Sequence, residues 1–347
     1  MRTIVLTTTD PAFNLAVEEY FLLHAEGEIR MLWRNARSVI IGKNQNAWAE
    51  VNVPYTEAKG IPVVRRLSGG GAVFHDPGNV NYTFITDCGE DEGIDFARFT
   101  APILSVLENL GVTAVLGGRN DILADGRKIS GNAQAVVRRA DGTPRRLHHG
   151  TILYGADLSA MTDALRVHPL KIQSKGVGSV RSRVVNLTDL PTFPKDLTAE
   201  SFMDLLAAAL ADGGTVTGLT PDEIAAIREI SAKKYAAWDW NFGTSAAHTT
   251  QFTARFPCGT LTASYAALHG EITDIRLYGD YFGVAPIDQL EAALVGVPLR
   301  RDAICAALTA APRPLTDYIA GAVPEELAAL LLGEEETESE RKGESHG

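Results

Sequence analysis

Short apolar and alternating runs divide most of the chain into predicted strands, with occasional helices between them. The first helix is predicted to begin at Asp10 and Pro11, because Asp caps helix N-termini and proline suits the first helical position. Apolar residues then recur at spacings of three and four as far as Phe21, as a buried helix face requires. Strands are predicted at Ile29–Trp33, Val39–Ile41, Ile61–Val64, Ala72–Phe74, Val80–Thr86, Val112–Leu116, Asp121–Leu123, Arg127–Val137 and His148–Tyr154.

Turn signals between these runs favour antiparallel pairing. The pair Asp125-Gly126 is a strong hairpin signal, and Asp141-Gly142 is a second one. Further helices are predicted at Asp95–Leu110, Ala199–Ala211 and Pro221–Tyr235. Strands joined by hairpins, with few helices, indicate an α+β fold whose mixed, largely antiparallel sheet is flanked by helices.

The pattern changes after Trp238–Gly243, where small polar residues follow. We therefore expect residues 1–243 to form a first domain and residues 250–333 a smaller α+β domain. Residues 334–347 contain six glutamates against two cationic residues and no apolar periodicity, so we expect an acidic, disordered tail. In the smaller domain, strands are predicted at Phe252–Arg255, Thr260–Tyr265 and Glu271–Tyr278, and helices at Ile287–Leu294, Arg301–Ala310, Leu315–Ala322 and Pro324–Leu332.

Composition narrows the class of protein. The chain has 347 residues, 45% of them hydrophobic, which is enough for about two domains. A net charge of −11 argues against a nucleic-acid binder that relies on attraction to phosphates. Cys88, Cys258 and Cys305 lie far apart, so they indicate neither a zinc site nor a disulfide framework, and a reducing compartment is expected. With no signal-peptide or membrane-spanning pattern, we expect a soluble, cytoplasmic protein.

The run Arg65–Asp76 is the first candidate for chemistry. It places Gly69, Gly70 and Gly71 after an arginine pair and before a strand that ends in His75-Asp76. Glycine lets another molecule approach the backbone N–H groups, and arginine offers a fork of donors to carboxylate or phosphate. The run therefore suits a small anion, although a glycine turn beside solvated arginines is the alternative.

Several other chemistries are excluded or disfavoured. The chain has no P-loop motif, and Gly176-Val-Gly-Ser-Val-Arg181 has arginine where a dinucleotide fingerprint needs its third glycine. It has neither a Gly-x-Ser-x-Gly motif nor a cysteine beside a histidine, so nucleophilic catalysis is poorly supported. The doublet His148-His149 lacks a second ligand cluster, which favours packing or hydrogen bonding over metal binding.

Two later segments add cations. Lys128 and Ser130 alternate along a predicted strand, so we expect them to share one face, although an ordinary polar strand face is the alternative. The stretch Lys171–Val185 holds four cationic and no acidic residues, with two glycines and three serines. Its length predicts a functional loop rather than a solvated connector.

Taken together, the order of these motifs resembles the lipoate–protein ligase A family over nearly the whole chain. The fold implied by this resemblance is that of biotin/lipoate ligases and class II aminoacyl-tRNA synthetase cores. The segments that carry it are Trp33-Arg34-Asn35, Ile41–Asn46, Arg65–Asp76, Asn120-Asp121, Lys128–Gly131, His148–Thr151, Lys175–Val184 and Trp240–Gly243.

The resemblance implies a two-step reaction in residues 1–243, as an acyl-adenylate-forming domain. Lipoate and ATP give lipoyl-AMP, and the lipoyl group then passes to a specific lysine on lipoyl domains of 2-oxoacid dehydrogenase E2 subunits or on the glycine-cleavage H protein. Lys128 would orient and stabilise the reacting groups, Asp121 would bind Mg²⁺, and the Lys171–Val185 loop would cover the adenylate. The remaining site residues implied are Arg66, Ser68, Gly71, Ala72, Val73, Phe74, His75, Ser130, Gly131 and His149.

Some details stay open. Trp33, Val39 and Val73 are candidates for an apolar slot, with simple core packing as the alternative. Leu67 departs from the family pattern, in which a small polar residue is common at this position, and its side chain would make the pocket tighter or more apolar if it faced the ligand. Alternative functions are an octanoyl- or lipoyl-transferase, a biotin–protein ligase, and a non-catalytic protein that binds lipoyl carriers; the transferase class needs a cysteine nucleophile, and none is suitably placed.

Overall fold

The computed structural model describes residues 1–89, 92–118, 120–165, 184–243 and 250–333. Contacts divide the chain into two compact units, Met1–Ser245 and Ala246–Gly347. Residues 171–183 of the predicted loop and the predicted tail, residues 334–347, lie outside the described residues.

A mixed sheet forms the framework of the larger unit. The strands in the described part of this unit are β1 Arg2–Val5, β2 Ile29–Trp33, β3 Ser38–Ile41, β4 Val63–Arg65, β5 Val73–His75, β6 Asn79–Asp87, β7 Ala114–Gly117, β8 Asp121–Ala124, β9 Arg127–Arg138, β10 Pro144–Leu153 and β11 Val216–Thr217. Eight of them pair in the order β11-β1-β2-β6-β10-β9-β8-β7. Strand β1 runs parallel to β2 and β11, and the other neighbours are antiparallel.

A second, three-stranded sheet, in the order β4-β3-β5, holds the two ends of the glycine run. Strand β3 pairs in parallel with β4 and antiparallel with β5, so Arg65 and Val73 flank the same strand. The glycines thus form the connection between two strands that are fixed by β3.

Helices pack on these sheets, and several begin where the sequence predicts. In the described ranges, the α-helices of the unit are α1 Pro11–His24, α2 Ala47–Glu50, α3 Val53–Ala58, α4 Phe96–Asn109, α5 Leu158–Ala164, α6 Ala199–Ala211 and α7 Pro221–Ile230. Asp10 caps α1: its carboxylate accepts from the amides of Ala12 at 2.9 Å and Phe13 at 3.3 Å. Thr220 and Glu223 form the capping box of α7, whose last turn continues as a π-helix over Ser231–Tyr235.

The hairpin between β8 and β9 contains the predicted turn and one irregularity. Asp125 and Gly126 have φ angles of 50° and 69°, the positive values that a two-residue hairpin turn requires. Ile122 lies opposite Ser130 and Leu123 opposite Lys128, so Ile129 is an extra, bulged residue of β9.

The smaller unit has its own antiparallel sheet and its own core. Its elements, between residues 250 and 333, are β12 Thr250–Phe256, β13 Gly259–Leu268, β14 Glu271–Gly279, α8 Ile287–Leu294, α9 Arg301–Thr309, α10 Leu315–Tyr318 and α11 Pro324–Leu332. Its sheet has the order β12-β13-β14, and Ile275 of that sheet and Leu290 of α8 lie in one apolar cluster. In the described ranges of both units, no helix is long and apolar enough to cross a membrane.

Candidate functional site

A cavity of about 120 Å³ opens between one face of the large sheet and the glycine run. Strand register builds its floor, because Trp33 on β2 lies opposite Asn81 on β6, and Asn81 lies opposite Thr151 on β10. The Thr151 hydroxyl in turn accepts from the amide of Gly131 on β9 at 3.2 Å. These four residues, together with Leu15 of α1, line the cavity.

The glycine run forms one wall of this cavity. Gly70 has a φ of +87°, and a Cβ at Gly42 would lie 2.0 Å from the Gly70 carbonyl oxygen, so both positions require glycine. Gly71, Ala72 and Val73 line the cavity directly.

Side chains at the end of the glycine run point alternately to two faces, as they do in a strand. Val73 and His75 face the cavity, whereas Phe74 between them is buried in the apolar cluster that contains Val39 and Ile41. Of the predicted apolar lining, Trp33 and Val73 are therefore in the cavity, and Val39 packs in the core instead.

The two arginines before the glycines have different surroundings. The Arg66 guanidinium lies at the cavity, donating to Ser68 Oγ at 3.0 Å and to the carbonyls of Gly69 at 2.6 Å and Gly71 at 2.9 Å. Burial lowers the pKa of Arg66 to about 10, against the attraction of Glu18, so the group stays cationic at neutral pH. It both shapes the glycine run and brings positive charge to the cavity.

Arg65 performs a structural role away from the cavity. Its guanidinium donates to backbone carbonyls of Gln45 at 2.6 Å, Trp240 at 2.9 Å and Asn241 at 2.8 Å. Arg65 thus ties the Trp240–Gly243 motif to the turn after β3.

A buried chain of hydrogen bonds holds Arg66 in place. Ser68 Oγ, which accepts from Arg66, lies 2.6 Å from His149 Nε2. His149 Nδ1 lies 3.0 Å from Glu18 Oε1, and because a carboxylate only accepts, Nδ1 carries a hydrogen. Glu18 has 2% of its side chain exposed, so this carboxylate acts inside the protein rather than on solvent.

The Glu18 carboxylate also holds Trp33, a residue of the cavity lining, in place through Thr83. Thr83 Oγ1 donates to Glu18 Oε1 at 2.7 Å and accepts from Trp33 Nε1 at 2.9 Å. Sequence reasoning missed Glu18 and Thr83. The available signal was the helical spacing of Glu18 from Leu15 and Leu22, which places an acidic residue on the buried face of α1.

Lys128 reaches the cavity from β9. Its ammonium lies 2.8 Å from Asp121 Oδ1, and a Cβ on Gly131 would lie 2.7 Å from the same nitrogen. Lys128 therefore lies across Gly131, which leaves the space that the lysine fills. The backbone amide of Val185, at the end of the predicted basic loop, donates to the Lys128 carbonyl at 3.0 Å.

The predicted pairing of Lys128 and Ser130 on one face is wrong. The bulge at Ile129 shifts the alternation by one residue, so Lys128 and Gly131 face the cavity. Ser130, 1% exposed, lies on the opposite side, where its hydroxyl is 3.4 Å from Asn132 Nδ2.

Asp121 is the carboxylate nearest to Lys128 in the predicted site. In the described ranges there is no group of three or more histidine, cysteine, aspartate or glutamate residues that could hold a metal alone. Mg²⁺ commonly binds one or two carboxylates together with substrate phosphates, so a single aspartate fits an ion that arrives with a nucleotide.

The two adjacent histidines differ sharply. His148 is fully buried, stacked on Phe99 with a centroid distance of 5.0 Å and 3.0 Å from Gln134 Nε2, and burial lowers its pKa well below the usual value. His149 lines the cavity. The expected packing role thus applies to His148, whereas His149 belongs to the buried chain that supports Arg66.

Most of the predicted site residues meet at this cavity. Ser68 lies behind the wall, between Arg66 and His149, while Phe74 and Ser130 face away. Leu67 packs against the apolar cluster of α1 and β2. The predicted residues that line the cavity are Arg66, Gly71, Ala72, Val73, His75, Lys128, Gly131 and His149.

A glycine-walled cavity with a lysine and an arginine at its edge defines a protein that takes a small anionic molecule. Residues 10–211 match the family described as Lipoyl protein ligase A/B catalytic domain, and residues 245–331 match Bacterial lipoate protein ligase C-terminus. The chain is similar to Lipoate-protein ligase LplJ of Bacillus subtilis, 41% identical over 302 residues that cover 85% of this chain and 89% of that protein. It is also 41% identical to Lipoate--protein ligase 1 of Staphylococcus aureus over 292 residues, 83% of this chain and 87% of that one. The chain belongs to the lipoate–protein ligase family.

Solved structures confirm the predicted fold class. P. falciparum LipL1, crystallised in complex with lipoate, superposes with a TM-score of 0.77 at 25% identity and covers 96% of this chain and 99% of its own. The bipartite ligase of Thermoplasma acidophilum, analysed with its E2 lipoyl domain, gives a TM-score of 0.60 at 28% identity over 72% of this chain and 98% of its own. A lipoate-protein ligase A bound with ATP gives 0.58 at 27% identity over 70% and 99%.

Proposed function

We propose that this protein activates lipoate with ATP to form lipoyl-AMP and pyrophosphate, and then transfers the lipoyl group to a lysine of an acceptor protein. The observation that carries the proposal is the convergence of Lys128, Arg66 and the glycine run on one cavity in a member of this family. The expected acceptors are lipoyl domains of 2-oxoacid dehydrogenase E2 subunits or the glycine-cleavage H protein, and the cytoplasmic location stays a prediction.

The first step joins two anions. A carboxylate oxygen of lipoate attacks the α-phosphorus of ATP, the bond from that phosphorus to the bridging oxygen breaks, and pyrophosphate leaves. The ammonium of Lys128 lowers the repulsion between the two anions and stabilises the charge that develops in the transition state. Lys128 does so from its place across Gly131, and its partner Asp121, 2.8 Å away, orients it there.

The wall of the cavity suits the adenylate that forms. Arg66 supplies a fixed positive charge, and the backbone from Gly71 to Val73 offers close approach to a phosphate. Bound Mg²⁺ would supply charge neutralisation on the nucleotide phosphates, and Asp121 would hold it together with the phosphate oxygens.

In the second step the acceptor lysine, as a free amine, attacks the acyl carbon of lipoyl-AMP. The new C–N bond forms, the bond from the acyl carbon to the phosphate oxygen breaks, and AMP leaves while the amine loses a proton. A positive charge near the phosphate stabilises this leaving group, which supports a role for Arg66 and Lys128 in both steps.

Pyrophosphate–ATP exchange tests the proposal directly. We expect exchange that depends on lipoate, with biotin inactive, followed by lipoylation of an added E2 lipoyl domain. Exchange with biotin alone would establish a biotin ligase. Absence of exchange, combined with acyl transfer from octanoyl-carrier protein, would instead establish a transferase of the same fold.

A further inference from the structure

A row of three residues in the large sheet joins two buried polar side chains behind the cavity. Strand register sets Tyr82 of β6 opposite Gly150 of β10, and Gly150 opposite Asn132 of β9. The Tyr82 hydroxyl donates to Asn132 Oδ1 across the middle strand. A Cβ on Gly150 would lie 2.5 Å from the Tyr82 hydroxyl oxygen, so this hydrogen bond requires glycine between its partners.

The hydroxyl of Tyr82 lies in an otherwise apolar region. Tyr82 is fully buried in a cluster with Phe84, because its side chain points to the opposite face from its neighbour Asn81, which lines the cavity. Burial raises the pKa of the Tyr82 phenol, against the hydrogen-bonding effect of Ser130, so the hydroxyl keeps its hydrogen at neutral pH. A buried hydroxyl is costly unless it is paired, and Asn132 supplies the partner.

The side-chain amide of Asn132 is fixed in one orientation by its other contact. One atom of this amide lies 3.0 Å from the backbone carbonyl oxygen of Asn120. Because a carbonyl oxygen only accepts, that atom is the nitrogen, which leaves Oδ1 to accept from Tyr82. The orientation therefore depends on a backbone acceptor and not on a second side-chain amide.

Three hydrogen bonds join Asn132 to Asn120. The backbone amide and Nδ2 of Asn132 both donate to the Asn120 carbonyl at 3.0 Å, and Asn120 Nδ2 donates to the Asn132 carbonyl at 2.6 Å. Asn120 lines the cavity and immediately precedes Asp121, the carboxylate that pairs with Lys128. Tyr82 is thus connected, through two asparagines, to the charged pair on the cavity side of the sheet.

The two asparagines secure the register of β8. This strand has only four residues, Asp121–Ala124, and the bulge at Ile129 interrupts its pairing with β9. Few ladder hydrogen bonds are therefore left to oppose a slip of one residue, which would turn Asp121 to the other face of the sheet. The bonds between Asn120 and Asn132 extend the ladder beyond Asp121 and oppose that slip.

We propose that Tyr82 is a positioning residue: through the two asparagines it holds Asp121 where this carboxylate orients the Lys128 ammonium. The inference rests on the proposed function, because it takes Lys128 to stabilise the joining of the two anions. Tyr82 acts from the opposite face of the sheet and touches no substrate. Its loss should therefore slow the chemical step rather than weaken binding, since a small misplacement of reacting groups reduces the rate.

Tyr82→Phe removes the hydroxyl and keeps the ring. In lipoate-dependent pyrophosphate–ATP exchange we expect kcat to fall about tenfold, because the pair of Asp121 and Lys128 loses its fixed position, while the KM for lipoate changes by less than about twofold. Tyr154→Phe is the matched control: the Tyr154 hydroxyl donates to the Leu197 carbonyl, and its ring packs against the same apolar cluster as Tyr82. The kcat of this control should not change.

Hydrogen exchange provides a readout that does not depend on turnover. The Asn132 backbone amide donates to Asn120, so its exchange should be about tenfold faster in Tyr82→Phe and unchanged in Tyr154→Phe. A double-mutant cycle tests the route: once Asn132→Ala is present, Tyr82→Phe should lower kcat no further.

Normal kcat in a folded Tyr82→Phe protein, an equal loss in Tyr154→Phe, or additive losses with Asn132→Ala would each overturn the inference and leave the proposed function intact. Absence of lipoate-dependent exchange in the unaltered protein would instead refute the proposed function, and with it the role of Tyr82 in that reaction. If Tyr82→Phe does not fold, Asn132→Ala carries the same expectation for kcat and KM, and a normal kcat in that variant would overturn the inference.

Discussion

The two units of this protein bury different kinds of residue. In the described part of the smaller unit, the buried polar residues are few, Thr260, Ser264 and Glu291, within an otherwise apolar core. The larger unit buries many charged and polar side chains, and one hydrogen-bonded chain of them, from Glu18 through His149 and Ser68 to Arg66, supports the wall of the cavity. Because burial of such groups is costly unless they are paired, their concentration marks where the fold serves a ligand rather than stability alone.

Loss of the Lys128 side chain from the larger unit should reduce activity more than the other changes below. We expect Lys128→Ala to reduce lipoate-dependent pyrophosphate–ATP exchange by about 100- to 1,000-fold, since it removes a charge placed at the reacting groups. The melting temperature should change little, because a third of the side chain is exposed (34%) and its salt bridge is partly solvated. Lys233→Ala, at a side chain 73% exposed, is the control for loss of one cation. Normal exchange in Lys128→Ala would contradict the assigned role.

Glu18 tests whether the buried chain supports the site. Glu18→Gln keeps the shape and an oxygen that can accept from both Thr83 and His149, as Oε1 does. It places an NH2 donor where Oε2 lies 3.1 Å from His149 Nδ1, and it removes the negative charge that attracts the buried Arg66. We expect a loss of about 1–3 kcal/mol in the free energy of unfolding and a rise in the KM for lipoate of about tenfold. Urea unfolding and exchange kinetics provide the two measurements.

The adjacent Glu19 supplies the comparison, because it has the same side chain on the same helix but pairs with Lys234 at 2.9 Å. Glu19→Gln should leave the KM for lipoate unchanged. If both variants raised this KM equally, the chain through Glu18 would have no special part in binding.

Periodicity and capping predicted much of the framework in which these groups lie. The limits of Ile29–Trp33, Ala199–Ala211 and Ile287–Leu294 match the structure, because each is a clear run of apolar spacing with a defined end. Short parallel strands such as Arg2–Val5 and Val216–Thr217 were not predicted, since a few residues give no distinct period and their partners are distant in sequence.

The site was predictable as a set of motifs but not as a geometry. Sequence alone gave no sign that Arg66 faces the cavity while Arg65 binds backbone carbonyls, because that choice depends on strand register. Nor did it indicate the bulge at Ile129, which turns Ser130 away from Lys128. Both depend on contacts between segments that only the fold brings together.

Substitution of Gly131 should reduce activity less than loss of Lys128, because it moves the Lys128 ammonium without removing it. A Cβ there would lie 2.7 Å from Lys128 Nζ, the end of a flexible side chain, so Gly131→Ala should displace the ammonium and leave the fold intact. We expect exchange to fall about tenfold, an effect of misplacement rather than loss. The measurement is kcat with lipoate alongside the melting temperature, and a fall in stability with unchanged kcat would show that Gly131 serves packing instead.

The smallest effect is expected in the smaller unit, at Glu291, where burial raises the pKa of the carboxyl group despite a hydrogen bond of 2.8 Å from the Leu277 amide. Since the folded state holds this proton more tightly than the unfolded state, its contribution to stability is present at acid pH and is lost as pH rises through the folded pKa. Glu291→Gln cannot ionise and keeps an oxygen for Leu277, so the stability of this variant relative to the unaltered protein should increase between pH 4 and pH 8.

Hydrogen exchange of the β14 amides measures this difference locally at each pH, and Glu271→Gln, at an exposed residue, is the control variant. A constant difference across that range would mean that Glu291 is as well solvated as a surface carboxylate, and the contrast between the two cores would then rest on the larger unit alone.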